Sequence, residues 1–200
     1  MIIGVDFDNT IVCYDLVFHQ VAVEQGLIPS HLSAHKGAVR DYLRQLDKED
    51  AWTEMQGYVY GMRMLDASPF PGVLEFFSRC QQQGIRVYII SHKTRYPYLG
   101  PRYDLHLAAQ QWLEKYGFYD HRHLNLSREQ VYFEETKQGK IARITGLDCS
   151  HFIDDLPEFL AEPDFPAGVE RILFDPNHKY LAGHNFKRRS SWAEIEELFI

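Results

Sequence analysis

The chain has 200 residues, 45% hydrophobic and 24% charged, with 21 basic against 28 acidic side chains for a net charge of −7. That length holds one domain, or one domain with a modest insertion, and the composition excludes a disordered chain. The negative balance excludes a general nucleic-acid binder, and no apolar run is long enough to span a bilayer.

The first element is short and apolar. Ile2, Ile3 and Val5 around Gly4 predict a strand over 2–6, buried on both faces. It runs into Asp6, Phe7, Asp8, Asn9 and Thr10, so two carboxylates alternate at a strand end. These charges interrupt the N-terminal apolar run, so no signal peptide is expected. Cys13, Cys80 and Cys149 are scattered, without a paired motif, which suggests a reducing compartment and a cytoplasmic protein.

Residues 14–64 change character. Leu16, Phe18 and Val21, then Val39, Tyr42, Leu43 and Leu46, then Trp52, Met55, Val59 and Met62 recur at helical spacing. The block reads as about three helices with no clear strand. Pro69, Pro71 and Gly72 close it. A helix is predicted over 73–82, ended by Gly84, and a second strand over 86–91, "RVYIIS". A turn-rich stretch follows, "HKTRYPYLGPRYD", with His92, Lys93, Arg95 and Arg102. Residues 105–116 read as a helix with Leu107, Ala108, Trp112 and Leu113 on one side. His121 and His123, beside Asp120, read as a polar loop and not a metal site, since their spacing is not that of structural zinc ligands.

Strands are predicted over 130–133, 150–153 and 169–174, with a short helix over 139–146. The fourth strand ends in a second acidic pair, Asp154 and Asp155. Lys187, Arg188 and Arg189 read as a solvated basic patch. Ser191 followed by Glu194 reads as a capping box opening a last helix over 192–198. Strands alternating with helices predict an α/β fold, a Rossmann-like three-layer sandwich with a central parallel five-stranded sheet.

Ligands of such sheets bind beyond the carboxyl ends of the strands. If the first and fourth strands are neighbours, Asp6, Asp8, Asp154 and Asp155 converge there. Like charges at close range raise one another's pKa, and a hard divalent cation such as Mg²⁺ relieves the repulsion with oxygen ligands. Ser91, ending the second strand, offers an uncharged donor to a phosphoryl oxygen. Lys140 or Lys137 is placed to balance negative charge on a transferred group.

These motifs resemble the haloacid dehalogenase superfamily of phosphotransferases. "VDFDNT" matches its first motif, "VYIIS" its second, a lysine its third and "HFIDD" its fourth, in order across residues 1 to 175. The resemblance implies that Asp6 is the nucleophile forming an aspartyl-phosphate and Asp8 the general acid–base. It implies that Asp6, the backbone carbonyl of Asp8, and Asp154 hold Mg²⁺. Asp155 is expected to act through a water or to orient Lys140. Ser91 and Lys140, with Asn9 and Thr10 of the first motif, are expected to bind phosphate. Residues 14–64 then resemble the family's helical cap, with residues 1–13 and 65–200 forming the catalytic core and hinges near 13–15 and 68–72. His92 and Lys93 are candidates for an anionic or sugar-like part of the substrate.

The expected function is a Mg²⁺-dependent phosphatase acting on a small phosphorylated metabolite such as a sugar phosphate, working as a monomer or homodimer without nucleic-acid polymer or membrane. A 5′-nucleotidase of the deoxyribonucleotidase type is the alternative within the class, and Tyr14, Phe18, Trp52, Tyr58 and Tyr60 are the aromatics available to a base. A phosphomutase and a binding module that has lost its chemistry are the readings outside it.

Overall fold

The computed structural model describes residues 1–180 and 186–200. The chain divides into two compact units, one of residues 1–12, 69–93 and 117–200, the other of residues 13–68 and 94–116. Residues 94–116, expected in the core, therefore cluster with the inserted helices.

The first unit is built on a parallel sheet. Its strands are β1 (Ile2–Val5), β4 (Arg86–His92), β5 (Val131–Glu134), β6 (His151–Asp154), β7 (Glu170–Phe174) and β8 (Lys187–Arg189), in the order β5-β4-β1-β6-β7-β8. Among the described residues the sheet has six strands, one more than expected. The sixth is the basic run 187–189, which pairs in parallel with residues 172–174 of β7. Its side chains are charged and half-buried or exposed, so it carries no apolar signature; it is a strand through its backbone ladder alone.

The two faces of the sheet are packed by different helices. On one face Ile90, Phe152 and Leu173 meet Ile144 of α6 (Lys137–Gly146) and Phe159 and Leu160 of α7 (Pro157–Leu160). On the other, Phe174 stacks at 5.6 Å on Trp192 of α8 (Trp192–Glu196), which lies 5.0 Å from Phe76 of α4 (Val73–Gln82). This is the three-layer arrangement expected of strands that alternate with helices. β1 sits in the middle, and Gly4 permits close approach of β6: a Cβ there would lie 2.5 Å from the Phe152 ring. Ser191 caps α8 by accepting the Glu194 N–H at 3.2 Å, but the Glu194 carboxylate takes the Ser190 N–H at 2.7 Å, one residue before the partner a capping box requires.

The second unit is helical. It contains α1 (Asp15–Glu24), α2 (Lys36–Gln45), α3 (Glu49–Gly61) and α5 (Leu105–Lys115). The chain enters it through β2 (Val12–Cys13) and re-enters the first unit through β3 (Ser68–Pro69), and these two short strands pair. Asp15 accepts the backbone N–H of Lys36 at 2.9 Å and binds the His35 ring at 3.0 Å, tying α1 to the start of α2. The Lys36 ammonium donates to the Tyr60 hydroxyl at 2.7 Å and lies 5.3–5.7 Å over the rings of Tyr14, Phe18 and Tyr60. Gly57 and Gly61 on α3 make room for Pro97 and Tyr103 of the following segment. Asp104 caps α5 through the Leu107 N–H at 2.9 Å, and Trp112 and Tyr116 both donate to the Ala67 carbonyl. Leu107, expected on the buried side of α5, is 56% exposed; Leu105, Ala108, Ala109, Trp112 and Leu113 form that side. Among the described residues no helix is long and apolar enough to cross a membrane.

Candidate active site

Parallel pairing places β1 between β4 and β6, so the carboxyl ends of all three strands point the same way. Asp6 follows β1 directly, and its N–H continues the ladder to the Ile153 carbonyl at 2.9 Å. Phe7 is fully buried and stacks edge-on against Phe133 at 5.6 Å. The chain then turns: the N–H groups of Ile11 and Val12 both donate to the Phe7 carbonyl at 3.0 Å, and Asn9 adopts φ 60°. That left-handed conformation is one asparagine tolerates better than most residues, because its short polar side chain bonds locally. Asn9 thus serves the turn that presents Asp8.

Asp6 and Asp8 each meet a different lysine. The Lys140 ammonium, on the first turns of α6, is 2.6 Å from Asp6 Oδ1 and 2.6 Å from Asp154 Oδ2. It is almost completely buried and lies 4.2 Å from the centre of the Phe159 ring. Burial works against its charge, but the Asp154 and Asp6 carboxylates outweigh that cost and hold its pKa above the usual lysine value. Burial likewise pushes Asp6 up to about 7, against the pull of Lys140 and with the help of Asp154. Lys137, three residues earlier, points elsewhere and pairs with Glu162 at 3.0 Å.

The second lysine is Lys93. Its ammonium lies 3.0 and 2.8 Å from the two oxygens of Asp8. Lys93, expected among the substrate-contacting residues, lies against the candidate acid–base, with its side chain only 3% exposed. Alternation along β4 explains this. Ser91 and Lys93 are both buried, while His92 between them is exposed, its Nε2 3.2 Å from the Glu135 carbonyl oxygen. Partial desolvation of the ring lowers the pKa of His92 from the ordinary imidazole value.

Ser91 is 1% exposed, and its Oγ has no hydrogen-bond partner among the described residues. A buried hydroxyl without a partner is costly and uncommon. At the end of the strand beside Asp6 it is a donor without an acceptor. Thr10 is also fully buried, but its hydroxyl is 3.5 Å from Asp155 Oδ1, directed at a carboxylate. Lys140 bonds Asp154, which therefore shares with Asp6 the holding of that ammonium. Asp154 is held in place by the Leu156 N–H at 2.9 Å on its other oxygen.

One oxygen from each of Asp6, Asp154 and Asp155 falls within 4.8 Å of the others. Three carboxylates thus converge beside the Lys140 ammonium. An all-oxygen set of this kind suits a hard ion.

No family profile and no curated protein sequence matches the chain. Solved structures do. A haloacid dehalogenase family hydrolase from Deinococcus radiodurans, solved with bound phosphate and sodium, superposes with a TM-score of 0.56 at 18% identity, over 96% of this chain and 92% of that one. The chain has the fold of the haloacid dehalogenase superfamily hydrolases. A family IA haloacid dehalogenase hydrolase from Entamoeba histolytica gives 0.58 at 14% identity, covering 96% of this chain and 93% of that one. A predicted phosphoglycolate phosphatase from Haemophilus somnus gives 0.56 at 14%, covering 98% and 96%. At these identities the haloacid dehalogenase fold is what is shared, and the chemistry must be argued from this chain's own residues.

Proposed function

We propose that the protein is a Mg²⁺-dependent phosphatase that hydrolyses a small phosphorylated metabolite through an aspartyl-phosphate on Asp6. The observation that carries this is the pairing of two neighbouring carboxylates with two separate lysines: Asp6 with Lys140 and Asp8 with Lys93. One carboxylate is held for attack and the other for proton transfer.

In the first step an Asp6 oxygen attacks phosphorus, the bond from phosphorus to the ester oxygen breaks, and Asp8 protonates the departing oxygen. In the second, Asp8 takes a proton from water as that water attacks phosphorus, and Asp6 is released as carboxylate. Lys140 and the Ser91 hydroxyl hold the phosphoryl oxygens, where negative charge builds up. Asp6, Asp154 and the Asp8 carbonyl are the groups that would hold Mg²⁺, with Asp155 acting through a water. When bound, the ion supplies the neutralisation that lets an anionic nucleophile approach a phosphate dianion.

The aromatics available to a nucleotide base are accounted for otherwise. Tyr14, Phe18 and Trp52 are buried in the second unit, Tyr60 packs on Tyr14 and Phe18, and Tyr58 packs edge-on against Tyr103. No observation therefore favours the nucleotidase reading over a sugar phosphate or a small acid phosphate such as phosphoglycolate. Hydrolysis of 4-nitrophenyl phosphate with Mg²⁺, abolished by EDTA and by Asp6→Asn, tests the reaction class. Absence of turnover on a broad panel of phosphate esters that includes phosphoglycolate and sugar phosphates overturns it.

A further inference from the structure

We infer that Lys93 is a positioning residue for Asp8, fixing the plane and direction of that carboxylate so that it can serve the leaving oxygen and then the attacking water. The inference rests on the phosphatase reading above and adds a residue outside the four motifs that carry it.

Three observations support the role. First, the contact is two-pointed: one ammonium reaches both Asp8 oxygens, at 3.0 and 2.8 Å. A carboxylate held by both oxygens cannot rotate about its last bond without losing one of them. Second, Lys93 is itself immobilised. Its N–H donates to the Glu134 carbonyl at 2.8 Å, extending the β4–β5 ladder, and its ammonium lies 5.7 Å from the centre of the buried Phe7 ring. Third, Asp8 needs such a device. It sits in a turn beside a residue in the left-handed region, after the strand has ended, and its side chain is 19% exposed. Asp6 lies on the sheet ladder next to Lys140, whereas Asp8 lies past the strand end, where its backbone no longer follows the ladder. Preorganisation of a proton donor is worth rate because a small displacement lengthens the catalytic hydrogen bond.

A positioning role differs from phosphate binding. The Lys93 ammonium reaches both oxygens of Asp8, and it is Lys140 that lies against Asp6. Loss of Lys93 should therefore damage proton transfer and spare phosphate affinity.

The test compares 4-nitrophenyl phosphate, whose leaving group needs little protonation, with phenyl phosphate, whose leaving group needs more. Lys93→Met is expected to lower kcat/KM for phenyl phosphate by about tenfold or more beyond its effect on 4-nitrophenyl phosphate, a share of the usual general-acid contribution. Inhibition by inorganic phosphate is expected to change by less than about threefold, since ground-state binding is spared. In an Asp8→Asn background the added Lys93→Met is expected to cost less than about twofold, because a residue acting through another has no effect once that one is gone. Lys93→Arg, which keeps the charge and two donors, is expected to recover most of the rate; if Lys93→Met does not fold by circular dichroism, Lys93→Gln takes its place. An equal fall on both esters, a loss of phosphate inhibition, or a full further loss in the Asp8→Asn background overturns the inference while leaving the phosphatase intact. A wild-type protein inert towards both esters overturns the phosphatase reading and this role with it.

Discussion

The Lys140 ammonium lies 2.6 Å from Asp6 Oδ1, joining residues 134 positions apart in the chain. The same ammonium is 2.6 Å from Asp154, so one cation screens two buried strand-end carboxylates from each other. Replacing it with an apolar group of similar length leaves both uncompensated. Lys140→Met is expected to lose activity and to destabilise the metal-free protein by about 3–5 kcal/mol, the usual cost of breaking a buried ion pair. Saturating Mg²⁺ should restore part of that stability. Urea unfolding with and without Mg²⁺ checks this, and an unchanged midpoint counts against the pairing.

Asp6 links stability to pH. Burial, opposed by Lys140 and aided by Asp154, raises it from 3.8 to about 7. A carboxyl group whose folded pKa is raised keeps its proton longer in the folded state. Its contribution is fully present below the unfolded value and is lost as pH rises through the folded one. The metal-free wild type should therefore lose stability between about pH 4 and pH 7 from this group. Asp6→Asn, which cannot ionise, should show a shallower decline and become the more stable protein above about pH 7. Unfolding free energies across that range, in EDTA, provide the measurement; parallel curves would contradict the buried state of Asp6.

In the second unit, Gly57 and Gly61 stand one turn apart on α3 against Pro97 and Tyr103. A Cβ on Gly57 would lie 2.6 Å from Pro97 Cβ and 3.2 Å from the Leu99 carbonyl oxygen. Alanine gains about 1 kcal/mol in helix propensity, but overpacking costs about 1–3 kcal/mol. The crowding should win, because a proline ring has little freedom to give way. Gly57→Ala is expected to lower the melting temperature and to speed proteolysis within 94–104 relative to wild type, which limited proteolysis checks.

The cysteines separate by burial. Desolvation pushes Cys80 up to about 12 and Cys149 up to about 11, and all three cysteines are free. Thiolate is the reactive form, so neither should alkylate in the folded protein at neutral pH. Half-buried Cys13 should react first. Peptide mass spectrometry after iodoacetamide treatment, with and without denaturant, reads the order directly.

Much of the site is legible from local patterning. An apolar run ending in alternating carboxylates marks "VDFDNT", and a second one marks "HFIDD", because buried strands and their charged ends are contiguous in sequence. β8 is not legible in that way. Its residues are Lys187, Arg188 and Arg189, and only the ladder to β7 makes them a strand. The segment 94–116 reads as loop and helix without saying where it packs; that follows from a glycine groove on α3, more than thirty residues earlier.

The chain thus announces its chemical inventory in order: two acidic pairs, a strand-end serine and candidate lysines. It does not announce the pairings. Lys137 and Lys140 are equivalent on paper, and the structure sends one to Glu162 and the other to Asp6 and Asp154. Lys93 reads as part of a polar loop, and folding carries it to Asp8. Ionic partners at such separations depend on which strands are neighbours, and that depends on how the helices and sheet bury their apolar faces together. Residue type sets the available charges; the β4-β1-β6 adjacency sets which of them meet.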